Sequence, residues 1–493
     1  MLRVVRKHRR GPIFVWGVWA ALSLVALACL ALYTRNVPLS EDWTLVPALT
    51  GNQPDVLGWL WSQNNEHRVP VPRLMLLGAL TLTGGDFRAG GAVSVLCLVA
   101  LAAMAILVAR RLRGGRIRYT DAFLPIAFLH LGNWENLFWS WQLTFVTSVV
   151  LICGLLYFVL THSTPVPLGA TVLAGSALVL LPLTGASGLV FVPALALYLL
   201  WQGFRQWRER TPETSRWPTL MLLAFPVVAL IVTALYFLGY ESPAWYPTSR
   251  LNVQFAKTSL KFLAIGLGPA AAQWWAVCTI TVTVAIGYTA ILLLTVIRSQ
   301  PAKRSRAIGL LLVLASVGVM AIGIGRGRGA VPDAHIPIRY VLLALPALLT
   351  AYFAAELYAS RTHRRTLQGG LLAIVLLLLP LNIRSGLEWR DWYLDGMDRV
   401  LQDVEAGVPR SELAERHRAF LLHWDVERLK ASIGMLQEAG IGPFAQLPDE
   451  TGVKERQPPR VPLPRVAFSA SYASWVSPYL FRGCDDRDAS ASV

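Results

Sequence analysis

The chain has 493 residues, 55% of them hydrophobic and only 15% charged, with a net charge of +16. Soluble domains carry about 25% charged residues, so this composition excludes an ordinary water-soluble globular protein. The basic residues sit in short clusters between long apolar runs, which is membrane topology information and not a nucleic-acid footprint.

Five clusters mark one side: 3–10, 110–118, 205–216, 298–306 and 361–365. The positive-inside bias places them in the cytoplasm, and apolar helices must alternate between them. The first run, 12–33, is near the ~20 residues that cross a ~30 Å hydrocarbon slab. It lacks a small-residue cleavage site and is read as a retained helix running outward. A long outer loop, 34–86, follows. Next come an inward helix at 88–110, a short one at 119–132, an outer re-entrant stretch at 133–142 and a helix at 143–161. Helices at 167–183 and 188–204 flank an outer turn, Thr184-Gly185-Ala186-Ser187-Gly188. The remaining spans are 218–239, 272–297, 307–324, 338–358 and 367–383, with an amphipathic stretch inside the outer segment 240–271. The total is an all-α polytopic membrane protein of about eleven spanning helices. A transmembrane domain, 1–385, precedes an extracytoplasmic region, 386–493, that is charged and helically periodic to about 440, then Pro-rich and irregular. Of the five cysteines, Cys29, Cys97, Cys153 and Cys278 lie in apolar runs and read as small core residues, and Cys484 stands alone in the tail.

Polar chemistry gathers on the outer side. The loop after the first helix holds Glu41-Asp42-Trp43, then Asn64-Asn65-Glu66-His67-Arg68. The re-entrant stretch supplies Glu135, Asn136, Trp139 and Gln142, and a glycine-rich link supplies Arg326 and Arg328, followed by Asp333, His335, Arg339 and Tyr340. Lys257 lies on the amphipathic stretch, where the plainer reading is an interfacial helix and the functional one a rim that attracts an anionic headgroup. Ionisable groups near membrane depth are expensive and tend to face a cavity or a partner. If the loops converge, Asp42, Glu66, Glu135 and Arg328 line one outer cavity. A carboxylate there can act as general base on an acceptor hydroxyl. Arginines can stabilise a leaving phosphate, glycines freeing the backbone to approach it. Tryptophan faces and amides suit a sugar ring.

This pattern resembles the bacterial integral-membrane glycosyltransferases of the GT-C class, which use polyprenyl- or dolichyl-phosphate sugars. The resemblance is carried by Asp42-Trp43, by Asn65 to Arg68, by Glu135, Asn136, Trp139 and Gln142, and by Arg339-Tyr340, in that order and on one side. It covers residues 1–385, with weaker similarity near Ile441-Gly442-Pro443-Phe444. It implies Asp42, Glu66 and His67 as catalytic residues. Glu41, Trp43, Asn65, Arg68, Glu135, Asn136, Trp139, Gln142 and Tyr340 would bind substrate, and Arg326, Arg328, Arg339 and Lys257 would hold phosphate. No cofactor is implied, and no Trp-Trp-Asp or metal motif is present in the sequence. The implied partners are a polyprenyl-phosphate-linked sugar, a glycan, lipid or protein acceptor, and membrane lipids, at the outer face of a bacterial plasma membrane. A polysaccharide polymerase or ligase would instead carry one large outer loop late in the chain. A transporter or flippase would place charges mid-helix and show internal repeats. A structural subunit of an envelope complex would use the tail for docking.

Overall fold

The computed structural model describes residues 2–209, 211, 215–242, 250–329, 336–423 and 425–448. Asp333, His335, Cys484 and the tail from 449 onward lie outside the described residues. The principal helices are α1 (Leu2–Tyr33), α2 (Pro70–Leu82), α3 (Ala89–Leu112), α4 (Phe123–Leu129), α5 (Leu143–Thr161) and α6 (Leu168–Leu180). They continue with α7 (Val192–Arg208), α8 (Trp217–Tyr236), α9 (Val253–Ala264), α10 (Trp275–Ser299) and α11 (Arg304–Arg328). The last four are α12 (Val341–Tyr358), α13 (Arg361–Glu405), α14 (Arg410–His417) and α15 (Val426–Glu438). A two-residue hairpin, β1 (Gln63–Asn64) with β2 (His67–Arg68), is the one sheet among the described residues.

Among the described residues, eight helices are long and apolar enough to cross a membrane, giving a multi-pass helical membrane protein. The expected eleven spans are each helical, but three are shorter than a full crossing. α4 has seven residues, about 10 Å at 1.5 Å per residue. α6 and α7 have 13 and 17. The expected outer loop 34–86 contains a further apolar helix, α2. Its Pro70 and Pro72 look like loop residues, yet proline is favoured in the first helical turn, where its missing N–H has no intrahelical acceptor to lose.

α12 is the centre of the bundle. Every residue from Val341 to Ala355 is buried, so this helix is wrapped on all faces, against α5, α10, α11 and α13. α1, by contrast, leaves Leu24, Leu27 and Leu32 exposed along its length.

The basic clusters fall at one end. Arg113 bonds Asp121 at 2.5 Å and Glu356 at 2.8 Å, and Glu356 also bonds Arg118 and Arg364. The Tyr352 hydroxyl bonds Asp121 as well. Phe14 of α1 meets Tyr119 at this end, and the Tyr198 hydroxyl lies within electrostatic reach of Arg205 and Arg306. The opposite end carries the turns 34–45, 84–91 and 134–142.

α13 has 45 residues, about 67 Å of helix, more than twice a ~30 Å hydrocarbon core. The expected boundary at 385 therefore falls inside one uninterrupted helix. Ser360 caps its start by accepting the His363 N–H. At the Asp42 end Asn382 accepts the Ala270 N–H at 2.9 Å and donates to the Leu267 carbonyl at 3.0 Å. One turn on, Gly386 allows the backbone at Leu131 to approach where a Cβ would stand 2.5 Å from the Leu131 carbonyl. Beyond the bundle α13 packs with α14 and with the 442–446 turn, α14 packs with α15, and Asp425 caps α15 by accepting the Arg428 N–H.

Candidate functional site

The turn after α1, Ser40–Leu45, is a short 3-10 segment held by its own acid. Asp42 accepts the Leu39 N–H at 3.2 Å through one carboxyl oxygen. Its other oxygen is buried and makes no well-formed hydrogen bond among the described residues, with only the Trp141 backbone N–H near the carboxyl. Only 3% of Asp42 is exposed. Burial pushes its carboxyl well above the usual carboxylate range and the neighbouring Glu41 pushes the same way, against the pull of the Leu39 and Trp141 backbone N–H groups. The Leu39 carbonyl in turn accepts the indole N–H of Trp139 at 3.2 Å, which ties this turn to the 133–142 stretch.

That stretch is broken helix, Trp134–Phe138 then Ser140–Gln142. Glu135 pairs with Arg339 at 3.2 Å. Desolvation drives Glu135 upward and Arg339 pulls it back. Asn136 donates to Asn133 at 2.8 Å and to the Arg339 carbonyl at 3.1 Å, leaving its own carbonyl oxygen without a partner among the described residues. The Gln142 carbonyl oxygen and one Glu41 oxygen are buried in the same condition. Arg328 and Arg339 both lie against the Tyr340 ring, 5.4 Å and 5.8 Å from its centroid, and Glu41 is within electrostatic reach of Arg339. Glu41, Asp42, Trp43, Glu135, Asn136, Trp139, Gln142, Arg328, Arg339 and Tyr340 thus form one neighbourhood. Buried polar atoms are normally paired, so several unpaired acceptors in one place mark a surface able to receive donor groups.

A small cavity opens beside Asp42, lined by Arg35, Arg88, Trp139, Trp389 and Tyr393 among others. The sequence alone pointed to neither Arg35 nor Arg88 nor Tyr393. The Tyr393 hydroxyl accepts the Arg35 N–H at 3.1 Å across 358 positions of chain, a separation that leaves no local signal. Arg35 bonds Asp398, and Arg88 bonds Asp86. The C-terminal region covers the Asp42 turn. The Ser40 N–H donates to the Leu421 carbonyl at 2.8 Å. Trp43 meets His423 and Phe444 edge-on, with centroids 6.4 Å and 5.9 Å away.

Other expected site residues are placed differently. Glu66 and His67 pair at 3.4 Å beside the β-hairpin turn, where Asn65 takes φ 51°. Their further contacts run to Ala186, whose N–H meets His67 Nδ1 at 3.4 Å, and to Tyr240, and not to Asp42. The expectation of one cavity holding Asp42, Glu66, Glu135 and Arg328 is corrected accordingly: Asp42 lines the cavity, Glu135 and Arg328 belong to the adjoining cluster, and Glu66 lies at a second locus. Arg68 is also corrected from substrate binding. Its guanidinium is consumed by the carbonyls of Trp61, Tyr236, Leu238 and Gly239.

The Gly325-to-Gly329 run was expected to be a link with free backbone. It is instead helical through Arg328, so most of its amides are spent inside α11. Gly325 is there because α9 crosses it: a Cβ would collide with Ser259. Arg326 and Arg328 then point to different sides, since residues two apart on a helix do not face one another. Arg326 is exposed, away from the Tyr340 cluster. Lys257, on the expected amphipathic helix, sits 5.4 Å over the Trp275 ring. Among the described residues no group of three or more His, Cys, Asp or Glu side chains is arranged to hold a metal ion.

No protein-family model matches the chain. No curated protein matches it either. Among solved structures it is similar to the crystal structure of ArnT from Cupriavidus metallidurans bound to undecaprenyl phosphate, at a TM-score of 0.44 and 16% identity, over 87% of this chain and 76% of that one.

Proposed function

We propose that this protein is a membrane glycosyltransferase. It moves a sugar from a polyprenyl-phosphate donor to an envelope glycan, lipid or protein acceptor on the outer face of a bacterial plasma membrane. The N-terminus is cytoplasmic and the C-terminal region extracytoplasmic. The observation that carries the reading is Asp42: a buried carboxyl with one oxygen making no well-formed hydrogen bond among the described residues, facing a cavity lined by aromatic rings and arginines. A carboxyl whose affinity for protons is raised by burial is a stronger base once ionised, which is what abstraction of a hydroxyl proton at neutral pH requires. The acceptor O–H bond breaks as its oxygen bonds the sugar's anomeric carbon. The proton passes to Asp42, and the bond from that carbon to the donor phosphate oxygen breaks, leaving polyprenyl phosphate. Arg328 and Arg339 beside Tyr340 hold the phosphate in this reading. Glu66 and His67 serve as a second site for acceptor or donor. The GT-C resemblance in motif order supports the same assignment.

The test is direct. The purified full-length protein is offered polyprenyl-phosphate sugars in nanodiscs, and released polyprenyl phosphate is measured for wild type, Asp42→Asn and Glu66→Gln. Turnover by wild type that collapses in Asp42→Asn supports the reading. Absence of turnover with every such donor, or full activity in both variants, defeats it. A flippase would instead move the lipid-linked sugar across a vesicle membrane without breaking its phosphate bond.

A further inference from the structure

At the basic end of the bundle several arginines have an acid. Arg113, Arg118 and Arg364 gather on Glu356, and Arg205 pairs with Glu209 at 3.2 Å. Arg306, in the first turn of α11, joins no ion pair among the described residues, and its Nε is buried without a hydrogen-bond partner there. That first turn holds no acid, although a helix start prefers negative charge.

Two hydroxyls share its condition. The Tyr358 hydroxyl, at the last residue of α12, is buried without a partner among the described residues. It lies within electrostatic reach of Arg306 and of Tyr198 on α7. The Ser305 hydroxyl, near that of Tyr198, is buried and makes no well-formed hydrogen bond among the described residues. Tyr198 itself is held in place. Its ring fills the gap left by Gly309, where a Cβ would stand 2.9 Å from it, and its hydroxyl accepts the Gln202 amide at 2.9 Å. α11 and α12, backed by α7, thus bring together a guanidinium and two hydroxyls, each with a buried donor left unpaired. Ser305, Arg306 and Tyr358 are all half-buried, so the cluster is reached from the surface. Buried donors are normally paired, and what this cluster lacks is an acceptor with negative charge.

The adjoining face of α7 says what kind of anion fits. Leu197 and Phe204, seven residues apart on one helical stripe, are 64% and 59% exposed. Trp201 lies between them, its ring 6.2 Å from that of Tyr198, so stripe and cluster adjoin. Arg205 sits over the Trp201 ring at 5.4 Å. A bare apolar stripe that ends in a tryptophan and an arginine marks the boundary between hydrocarbon and headgroups. The acid at this edge, Glu209, is exposed, and its pair with Arg205 is a surface one that contributes little. A soluble anion has no use for the apolar stripe, whereas an anionic phospholipid uses both parts.

We infer that Ser305, Arg306 and Tyr358 bind the phosphodiester of an anionic phospholipid in the leaflet at the basic end, with its acyl chains along the Leu197–Phe204 stripe. The Arg306 guanidinium takes one phosphate oxygen, and the two hydroxyls donate to the phosphate as well. The bound lipid ties the start of α11 to the end of α12. This site lies at the far end of the bundle from Asp42 and does not depend on the glycosyl-transfer reading.

The test is lipid retention by the full-length protein in detergent, read by native mass spectrometry. The probe is dioleoylphosphatidylglycerol, and dioleoylphosphatidylcholine is the zwitterionic control. Wild type is expected to hold one phosphatidylglycerol about tenfold more tightly than phosphatidylcholine. Arg306→Gln should weaken that binding about tenfold through loss of a charge-assisted contact, and Tyr358→Phe about threefold. Arg365→Gln removes the same charge from an exposed position at the same end and should leave binding unchanged. Tyr358→Phe keeps the ring and deletes an unpaired hydroxyl, so it should fold like wild type and decides the question if Arg306→Gln is unstable. Equal retention of the two lipids overturns the inference, and so does wild-type affinity in Tyr358→Phe and Arg306→Gln. Weakening by Arg365→Gln as large as by Arg306→Gln overturns it too, because the effect is then one of general charge. Displacement of the bound lipid by inorganic phosphate does the same, since the site would then serve a soluble anion.

Discussion

Asp42→Asn separates chemistry from folding more cleanly than any other change in this protein. Asparagine has nearly the same volume, and its carbonyl can keep the 3.2 Å hydrogen bond from the Leu39 N–H. What it loses is the capacity to take a proton. Removal of a general base costs typically 10²–10⁴-fold in rate, or about 3–5 kcal/mol of transition-state stabilisation. Stability should move the other way. Burial raises the folded-state pKa of Asp42 above its unfolded value of about 3.9. The folded chain thus holds this proton more tightly than the unfolded one. The favourable contribution is complete below the unfolded pKa and is lost as pH rises through the raised folded value, so at neutral pH the ionised group opposes folding. The variant, which never ionises, should melt at or above the wild-type temperature at pH 7. The wild-type rate should fall on acidification with a midpoint above the ordinary carboxylate range. The assay is single-turnover sugar release across pH, paired with thermal unfolding in the same detergent. If Asp42→Asn keeps a third or more of the activity, or loses activity only because it melts earlier at pH 7, the general-base argument is refuted.

Removing Arg339 leaves the buried Glu135 carboxylate uncompensated and should cost about 3–5 kcal/mol, removing Glu135 leaves a partly exposed Arg339 and should cost less, and removing both should cost less than the sum; a thermal-unfolding double-mutant cycle reads the difference. Arg68→Ala deprives four carbonyls of a charged donor, so it should lower the melting temperature by an amount equivalent to about 2–4 kcal/mol without changing KM in the folded fraction, and Arg68→Lys should not rescue it, because an ammonium cannot reach the four acceptors together. Phe444→Ala removes a fully buried ring from against Trp43 and should cost about 3–5 kcal/mol; limited proteolysis should then release the C-terminal region first, with activity falling as the Asp42 turn loosens. At the basic end, Glu356→Gln leaves Arg113, whose side chain is 2% exposed, short of one of its two carboxylates, and should destabilise by about 3–5 kcal/mol with no change in the pH profile of the remaining activity.

What the amino-acid sequence determined by itself is the list of helices and their common sidedness. Apolar runs of membrane length fold as helices because lipid offers no hydrogen-bond partner to the backbone, and the expected span 143–161 coincides with α5. The charged, periodic stretch after 384 is helical for the equally local reason that its apolar positions recur with helical spacing. Clusters of arginine can be counted without coordinates, and the described ones do gather at one end. Local signals misled where a residue's role is set by a distant neighbour. The glycines around Arg326 and Arg328 look like a loop until α9 is seen crossing Gly325, and the prolines of α2 look like a loop until a helix is seen to begin at them. Arg68 looks like a binding residue until its four carbonyl acceptors, three of them from the end of α8 and the turn beyond it, are in view. Only tertiary structure could decide that Glu66 and His67 sit apart from Asp42, and that Tyr393 and Trp389 close its cavity. Those relations depend on how α13 leans on α1 and on the 131–133 turn. That packing is fixed by side-chain volume, and by close approaches such as the one Gly386 permits, between segments hundreds of residues apart.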